Sequence, residues 1–363
     1  MKKVLVISNM YPTEEHLAYG IFVKNQVEQL QATGVETLLA VNTNPATGKV
    51  NVLKKYAAWA WNVWQVFRAN KREIGLTHSH YVFPSGLFSY YLKKRHNIPY
   101  IVTAHGGDIN KMAKKNARIR SFTENILQHA DHVIAVGEEL AQTIEKEFGV
   151  SRDRLTVMSM GIDRTVFAKP ASKSAVATKL GMDPNKQNFL FVGNIILEKG
   201  VEELVVAFKK LVQQHPHKAA LYCVGSTKDV NFTTHVKELA DGQADIHFIE
   251  PMPQQKLAEY FQAADVFVLP SYIEGLGLVA LEAMSCGTPV VASDVGGLHY
   301  MLQDDVGVLV PPKDDLLLHN ALKQIVDNGK LLVNEDKVVQ LLETHDAKQI
   351  IERLTVLYNN YSK

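Results

Sequence analysis

Residues 270–284 hold the side chains and backbone positions best suited to chemistry. Gly275 and Gly277 have no side chain to keep a ligand away from the backbone, and they stand between a strand pattern and a helical pattern. The free N–H groups at the start of a helix favour an anion, so this stretch predicts a phosphate site. Glu274 and Glu282 are eight positions apart, about two helical turns, and would flank that site.

Two carboxylates beside a phosphate site suit a nucleotide sugar, because they accept hydrogen bonds from sugar and ribose hydroxyls. The same stretch would also form an ordinary helix cap with two solvated glutamates, and taken alone that interpretation ranks first. Motifs elsewhere in the chain favour the phosphate site.

The composition is that of a globular protein with about two domains. Of the 363 residues, 46% are hydrophobic and 21% are charged, which excludes disordered and fibrous classes. The first apolar run, residues 4–7, is too short for a signal peptide, and no later run is long enough to span a bilayer. Cys223 and Cys286 stand in apolar stretches, which argues against disulfides and thiolate metal sites. We therefore expect a cytoplasmic location.

The net charge differs between the two parts of the chain. Residues 1–168 contain 21 Lys and Arg against 14 Asp and Glu, a net charge of +7. The remainder contains 18 against 24, a net charge of −6. This split indicates that the first half meets an anionic partner, and scatter in surface charge is an equally weighted alternative.

Short β-branched runs alternate with amphipathic helical stretches, which is the pattern of parallel sheets covered by helices. Six strands are predicted in the first half, at residues 3–8, 35–41, 76–81, 100–104, 132–136 and 155–158. Six more are predicted in the second half, at residues 188–192, 219–224, 246–249, 266–269, 289–292 and 307–310. Turn residues between them mark a boundary. The sequence therefore predicts an α/β protein with two successive doubly wound, Rossmann-like domains.

The stretch 270–284, together with Cys-Gly-Thr-Pro and Gly-Gly in residues 285–297, resembles the signature of the retaining GT-B glycosyltransferases of family four. That signature contains two glutamates separated by seven residues. Further matches are Phe-Val-Gly at 191–193, Glu-Lys-Gly at 198–200 and Ala-His-Gly-Gly-Asp at 104–108. The resemblance covers nearly the whole chain and implies a GT-B fold, with two Rossmann-like domains facing each other across a cleft.

The resemblance also implies how the domains divide the work. Residues 1–165 would form the acceptor domain, and residues 166–345 would form the nucleotide-sugar donor domain. The helical tail at 346–363 has apolar residues at helical spacing, and by the resemblance it packs back onto the first domain.

By the same resemblance, Glu274 holds the donor sugar's hydroxyls, Glu282 holds the ribose hydroxyls, and the amides of residues 275–278 hold the distal phosphate. Lys199 lies against the diphosphate, and His105 contacts the donor sugar near the reacting carbon. The implied catalytic residues are His105, Lys199 and Glu274. The implied donor-binding residues are Gly20, Asn194, Lys199, Met252, Glu274, Gly275, Leu276, Gly277, Leu278 and Glu282.

Two of these residues also have a physical argument. The ammonium of Lys199 would neutralise the charge that builds on a leaving diphosphate, and its alternative is a surface lysine at a helix start, which the helix dipole disfavours. His105 ends an apolar strand, a position that faces the ligand crevice of an open α/β sheet. Its alternative is a structural histidine.

Two positions depart from the family pattern. Asn194 stands where the family usually has arginine, so one of two cationic phosphate contacts is missing and donor affinity or turnover is in question. Leu298 stands after the Gly-Gly pair where the family usually has an acidic residue.

We expect no cofactor and no metal ion beyond the substrate. The chain has no Gly-x-Gly-x-x-Gly, which argues against a dinucleotide site, and no Asp-x-Asp, the metal-binding signature of the other large glycosyltransferase fold. His78 and His80 would share a strand face, yet no third ligand lies at metal-site spacing.

All three tryptophans lie in residues 52–72, where a helical wheel predicts an aromatic face next to basic residues. The predicted face consists of Leu53, Tyr56, Ala57, Ala60, Trp61, Val63, Trp64 and Phe67. Such a helix could lie on an anionic membrane, at its inner surface, although packing of this face on the domain's own sheet is the favoured alternative.

The sequence therefore predicts a glycosyltransferase that moves a sugar, with retention, from a nucleotide-sugar donor to a carbohydrate or lipid-linked acceptor. Residues 19–23 and 78–81 resemble, more loosely, enzymes of bacterial cell-envelope polysaccharides such as teichuronic acid. No nucleic acid partner is expected. The competing interpretations are a sugar-nucleotide epimerase of the same fold and a nucleotide-sugar-binding protein without turnover.

Overall fold

A computed structural model describes residues 2–46 and 48–362. The chain divides into two compact units. Unit 1 is Met1–Gly161 with Ala347–Lys363, and unit 2 is Ile162–Asp346. Unit 2 starts at Ile162, slightly before the predicted boundary, because the Ile162 N–H donates to the carbonyl of His345 at 2.9 Å and ties the start of the unit to its end.

Unit 1 contains a six-stranded parallel sheet in the order β2-β1-β3-β4-β5-β6. Its strands are β1 (Lys3–Ser8), β2 (Thr37–Val41), β3 (Ile74–His80), β4 (Tyr100–Ala104), β5 (His132–Ala135) and β6 (Leu155–Val157). Its helices are α1 (Ile21–Ala32), α2 (Lys49–Asn70), α3 (Ser85–His96), α4 (Ala117–His129), α5 (Glu138–Phe148) and, at the end of the chain, α14 (Ala347–Tyr361).

Unit 2 contains a second six-stranded parallel sheet in the order β12-β11-β10-β7-β8-β9. Its strands are β7 (Gln187–Val192), β8 (Ala219–Val224), β9 (Ile246–Ile249), β10 (Val266–Leu269), β11 (Val290–Ser293) and β12 (Val308–Val310). Its helices are α6 (Lys173–Lys179), α7 (Val201–Gln214), α8 (Val230–Leu239), α9 (Gln254–Ala263), α10 (Leu278–Ser285), α11 (Gly296–Met301), α12 (Asp315–Asn328) and α13 (Glu335–Thr344). The two sheets confirm the predicted α/β class, and each predicted strand corresponds to an observed one.

The central strands are buried on both faces, as parallel sheets with helices on either side require. Val4 and Val6 of β1 point to one face, where α1 and α14 pack, while Leu5 and Ile7 point to the other, where α2 packs. All four side chains are fully buried. A continuous apolar run therefore forms a strand here rather than a helix.

Helix α14 packs into the core of unit 1 through Ile350, Ile351 and Leu354, which lie against α1. Two tyrosine hydroxyls near its end reach histidines of the sheet. Tyr358 is hydrogen-bonded to Nδ1 of His78 at 2.6 Å, and Tyr361 to Nδ1 of His132 at 3.2 Å. The C-terminal helix is therefore an integral part of unit 1.

The face predicted for helix α2 is not the face that the helix packs against the sheet. Trp59, which was not assigned to that face, is buried with Val63 and Phe67 against the sheet, and its indole N–H donates to the carbonyl of Ala40 at 2.9 Å. The residues of the predicted face are thus split. Val63 and Phe67 are buried and Tyr56 and Ala60 are half-buried, whereas Leu53, Ala57, Trp61 and Trp64 are exposed. The helical wheel thus grouped residues that point to the sheet with residues that point to solvent.

Within the described ranges, no helix is long and apolar enough to cross a bilayer.

Candidate functional site

In a doubly wound sheet, ligands bind at the carboxyl ends of the strands where the chain order reverses. In unit 2 this switch point lies between β7 and β10, which are neighbours in the sheet although their connections lead to opposite sides. The loop after β7 contains Lys199, and the loop after β10 contains Glu274. The topology alone therefore brings these two predicted residues to one place.

Lys199 and Glu274 form an ion pair at this switch point. The ammonium Nζ lies 2.5 Å from Oε1 of Glu274, and the hydroxyl of Ser271 donates to the same oxygen at 2.8 Å. Both charged side chains are mostly buried, with 27% and 12% of their surface exposed. Glu274 is thus fixed by two donors and leaves its second oxygen to accept further hydrogen bonds.

Glycines allow the loops of this site to pack backbone against backbone. At Gly200 an added Cβ would lie 2.0 Å from the carbonyl oxygen of Pro270, and at Gly296 it would lie 1.9 Å from that of Glu274. Gly297 also donates its N–H to the carbonyl of Gly275 at 3.2 Å. The glycine-rich segments after β7, β10 and β11 therefore form one compact backbone surface.

Helix α10 begins at Leu278, after Gly277, which has a left-handed φ of 84° and provides no side-chain cap. Among the described residues, no turn or loop hydrogen bond to a carbonyl is donated by the amides of residues 275–278. Four adjacent donors at a helix start are what an anion requires. The expectation that Glu274 and Glu282 are about two helical turns apart was wrong, because Glu274 precedes the helix.

Glu282 lies within α10 and is buried, with 8% of its surface exposed. Burial disfavours its charged form and raises the pKa of this carboxyl to about 8. The neighbouring thiol of Cys286 has a raised pKa as well, because of burial first and of the Glu282 charge second. Glu282 therefore lies in an apolar setting, unlike the ion-paired Glu274.

Two further predicted donor residues lie less centrally. Asn194 follows β7 and is exposed. Met252 follows β9, the edge strand two places from β7, and its side chain packs half-buried against the core of unit 2.

Unit 1 has its own switch point, between β1 and β3. Gly20 lies in the loop after β1 with a left-handed φ of 75°, and an added Cβ would lie 2.6 Å from the carbonyl oxygen of Met10. His80 ends β3, and His105 follows β4. Glycine is required at position 20 because the loop folds back on itself there.

His105 is held from several sides. Its Nε2 lies 3.3 Å from Nδ1 of His80, and its ring contacts those of Phe22 and Tyr81, with centroids 5.0 and 4.5 Å away. Its backbone N–H donates to Oδ1 of Asp108 at 3.0 Å, while Oδ2 of this buried carboxylate accepts from Val82 at 2.8 Å.

Burial sets the protonation of this histidine cluster. It lowers the pKa of His80 to about 3, and it lowers the pKa of His105 and of His78 well below the usual range, with a smaller effect from neighbouring histidines on both. Neutral imidazoles are therefore present at neutral pH. The short His80–His105 contact then requires one ring to donate and the other to accept.

Two family models match the chain. The model described as Glycosyl transferases group 1 matches residues 173–337, and the model described as Glycosyltransferase Family 4 matches residues 20–166. A D-inositol 3-phosphate glycosyltransferase of Corynebacterium diphtheriae is 30% identical over 287 residues, which are 75% of this chain and 67% of that relative. The chain belongs to the group 1 glycosyltransferases of family 4.

A putative teichuronic acid biosynthesis glycosyltransferase of Bacillus subtilis, TuaC, is 26% identical over 357 residues, 88% of each chain. A structure of Anabaena Alr3699/HepE in complex with UDP and glucose has a TM-score of 0.77 with 17% identity, and covers 99% of this chain and 100% of that one. The likeness confirms the predicted GT-B class with two Rossmann-like domains for this family 4 glycosyltransferase.

The sequence interpretation missed the groups that surround His105 in the family 4 glycosyltransferase. The sequence interpretation weighed His80 as a metal ligand and as part of the resembling stretch 78–81, and it gave Asp108 no role. A signal for both existed, because His80 lies near the end of one predicted strand and Asp108 follows the end of another by a few residues. In the part of the chain that the structure describes, no group of three or more His, Cys, Asp or Glu side chains could hold a metal ion.

Proposed function

We propose that this chain is a retaining glycosyltransferase that moves a sugar from a nucleoside diphosphate sugar to a glycan or lipid-linked acceptor, in cell-envelope or extracellular polysaccharide biosynthesis. The observation that carries the proposal is the Lys199–Glu274 ion pair at the β7/β10 switch point, beside the amides of residues 275–278. Unit 2 binds the donor and unit 1 binds the acceptor.

The donor's diphosphate becomes more negative as the bond to the sugar breaks. Lys199 and the amides at the start of α10 provide one full positive charge and several N–H dipoles that are in place before the reaction. Such preorganised groups stabilise a developing charge without reorganisation. Because they meet the charge of the diphosphate, the transfer needs no metal ion.

The two glutamates have different tasks. Glu274, fixed by Lys199 and Ser271, accepts hydrogen bonds from hydroxyls of the donor sugar, so the sugar is oriented by the same pair that meets the diphosphate. Glu282, in its apolar setting, accepts hydrogen bonds from the two ribose hydroxyls. These bonds favour the charged carboxylate, so Glu282 ionises when the ribose binds. His105, with its ring oriented by His80, contacts the donor sugar near the reacting carbon.

The relatives support the substrate class. TuaC is named for teichuronic acid biosynthesis, and the HepE structure holds UDP and glucose. A sugar nucleotide as donor and an envelope glycan as acceptor are consistent with both names, and with a site that has backbone amides, an ammonium and two carboxylates.

The test is transfer of a radiolabelled sugar from UDP-, GDP- and ADP-sugars, with and without an extract of lipid-linked glycans. We expect label to appear in the acceptor fraction with one nucleotide only, with the anomeric configuration of the donor. Conversion of the donor sugar without any acceptor would instead show an epimerase. Absence of both transfer and nucleotide-sugar binding would refute the proposal.

Asn194 favours a second candidate, a nucleotide-sugar-binding protein without turnover, because arginine is the usual residue there. Replacing it restores a bidentate phosphate contact. If Asn194→Arg creates turnover from an inactive wild type, this candidate is correct. If the wild type already transfers sugar and Asn194→Arg tightens nucleoside diphosphate binding by roughly fivefold, the transferase proposal stands.

A further inference from the structure

Helix α2 has two apolar stripes, and the sheet of unit 1 covers only one of them. Trp59, Val63 and Phe67 form the covered stripe and are at most 6% exposed. A helix on the face of a sheet needs only that one stripe. The second stripe has no partner within the described part of unit 1 and requires a separate explanation.

The second stripe, called the α2 outer stripe, is exposed to solvent. Leu53 is 73% exposed, Trp61 58% and Trp64 44%. At about 100° per residue, all its members lie within about 80° around the helix axis. These members are Val50, Leu53, Ala57, Trp61, Trp64 and Arg68.

The aromatic residues of the outer stripe form one surface with a cation. The rings of Trp61 and Trp64 are stacked with centroids 4.8 Å apart, and the guanidinium of Arg68 lies 5.0 Å from the Trp64 ring. Tryptophan rings prefer the boundary between lipid tails and headgroups, where one edge is apolar and the other is wet. A cation beside them meets the headgroup layer.

The charged residues of α2, and the two that follow it, have a single sign. Helix α2 contains no acidic residue, and exposed Lys54, Lys71 and Arg72 adjoin the stripe in addition to Arg68. The next acidic residue along the chain, Glu73, is paired with Lys3 at 2.5 Å. The outer stripe is therefore apolar in its centre and positive at its edges, which matches an anionic lipid surface.

We propose that the α2 outer stripe docks this chain on an anionic lipid bilayer, with Trp61 and Trp64 in the headgroup boundary and the basic residues on lipid phosphates. A second copy of the chain fits less well, because a two-fold interface would bring Arg68 and Lys54 of both copies together. The inference extends the proposed function, since a docked enzyme meets a lipid-linked acceptor at the surface. It does not depend on the donor chemistry.

The experiment is co-sedimentation of the full chain with vesicles of three parts phosphatidylcholine to one part phosphatidylglycerol, at low and at high salt. We expect binding at low salt that is weakened by salt and absent with pure phosphatidylcholine. The double variant Trp61→Ser/Trp64→Ser should bind roughly tenfold more weakly or worse. The matched control is Leu316→Ser/Leu317→Ser, which removes two exposed apolar side chains from α12 of unit 2 and should bind as the wild type does.

A second pair of variants tests the charge. Arg68→Gln with Lys54→Gln should lower binding by roughly twenty-five-fold and flatten its salt dependence, because each lost charge near the surface costs about fivefold. Lys330→Gln with Lys237→Gln, in unit 2, serves as control. Circular dichroism checks that every variant is folded.

Two results would overturn the proposal. One is no vesicle binding by the wild type at low salt. The other is a wild-type dimer in sedimentation velocity that Trp61→Ser/Trp64→Ser converts to monomer, which would assign the stripe to a second copy. Transfer to a water-soluble acceptor is measured in parallel, so that loss of docking with intact transfer refutes only this inference and leaves the proposed function standing.

Discussion

The two units share a six-stranded parallel architecture, but their switch points hold opposite kinds of groups. In unit 1 the point is filled by neutral histidines and aromatic rings around His105, with a buried carboxylate that accepts backbone hydrogen bonds. In unit 2 it is formed by bare glycine backbone and the Lys199–Glu274 ion pair. The same place in the fold thus holds uncharged imidazoles in one unit, and an ion pair beside glycine backbone in the other.

The difference fits the two ligands that the proposed function assigns to the units. A diphosphate needs backbone amides and a cation at short range, which only a loop with little side-chain bulk provides. An acceptor hydroxyl needs oriented hydrogen-bonding groups, and neutral imidazoles provide a donor and an acceptor in one ring. The fold determines where the ligand edge lies, and the loop sequences determine its chemistry.

The largest expected effect comes from the charged switch point. Lys199→Ala should lower kcat by roughly 10²- to 10³-fold while donor affinity changes little, because its charge is needed most when the diphosphate leaves. The matched control is Lys186→Ala. Lys186 forms an ion pair with Asp245 at the same 2.5 Å and with similar burial, but before β7, at the other end of the strand. Steady-state kinetics with the donor measure kcat and KM for both variants. An equal loss of kcat in both would mean that the effect of Lys199→Ala is structural.

The two units should also respond differently to acid. Burial lowers the pKa values of four histidines of unit 1, His78, His80, His105 and His132. This unit is therefore most stable above about pH 6.5. It loses stability as the pH falls below that value, by about 1.4 kcal/mol per pH unit for each histidine that stays neutral. Burial raises the pKa of Asp108, so this carboxyl changes stability in the opposite direction, but it is one group against four.

In unit 2, different titrating groups set how stability depends on pH. The pKa of Glu282 is raised to about 8, so its contribution is complete below about pH 4.5 and is lost as the pH rises towards 8, while half-buried His247 opposes it. Hydrogen exchange at pH 5 and 7, expressed as protection factors, should show β1 and β4 losing protection on acidification before β7 and β8. Earlier loss in β7 and β8 would contradict the comparison.

A smaller effect should appear in donor binding. If ribose hydroxyls favour the ionised form of Glu282, binding at pH 7 releases close to one proton, and affinity rises with pH up to about 8. Calorimetry of the matching nucleoside diphosphate in buffers of different ionisation enthalpy measures this release. Glu282→Gln should abolish it and weaken binding by roughly tenfold, whereas Glu335→Gln, on the surface of the same unit, should change neither. Undiminished release by Glu282→Gln would assign the proton elsewhere.

Much of the fold could be predicted from the sequence, because most of the buried parallel strands are short apolar, β-branched runs, and each predicted strand corresponds to an observed one. In unit 2, the family resemblance named Lys199 and Glu274, which the structure pairs, whereas the helical spacing expected between Glu274 and Glu282 was wrong. The α2 face could not, since a helical wheel shows which residues are neighbours but not which stripe the sheet covers. His80 and Tyr81, which contact the His105 ring, come from the neighbouring strand β3 and the residue after it, and the pairing of strands is not visible in a linear pattern.

The central claim is that the amides of residues 275–278 bind the distal phosphate. It is tested most directly by ¹H–¹⁵N spectra of glycine-labelled protein titrated with UDP, GDP and ADP and with the corresponding nucleosides. The account predicts that the Gly275 and Gly277 resonances shift strongly with one nucleoside diphosphate, and far less with its nucleoside, which lacks the phosphates. Tight binding of a nucleoside diphosphate with both resonances unmoved would contradict it.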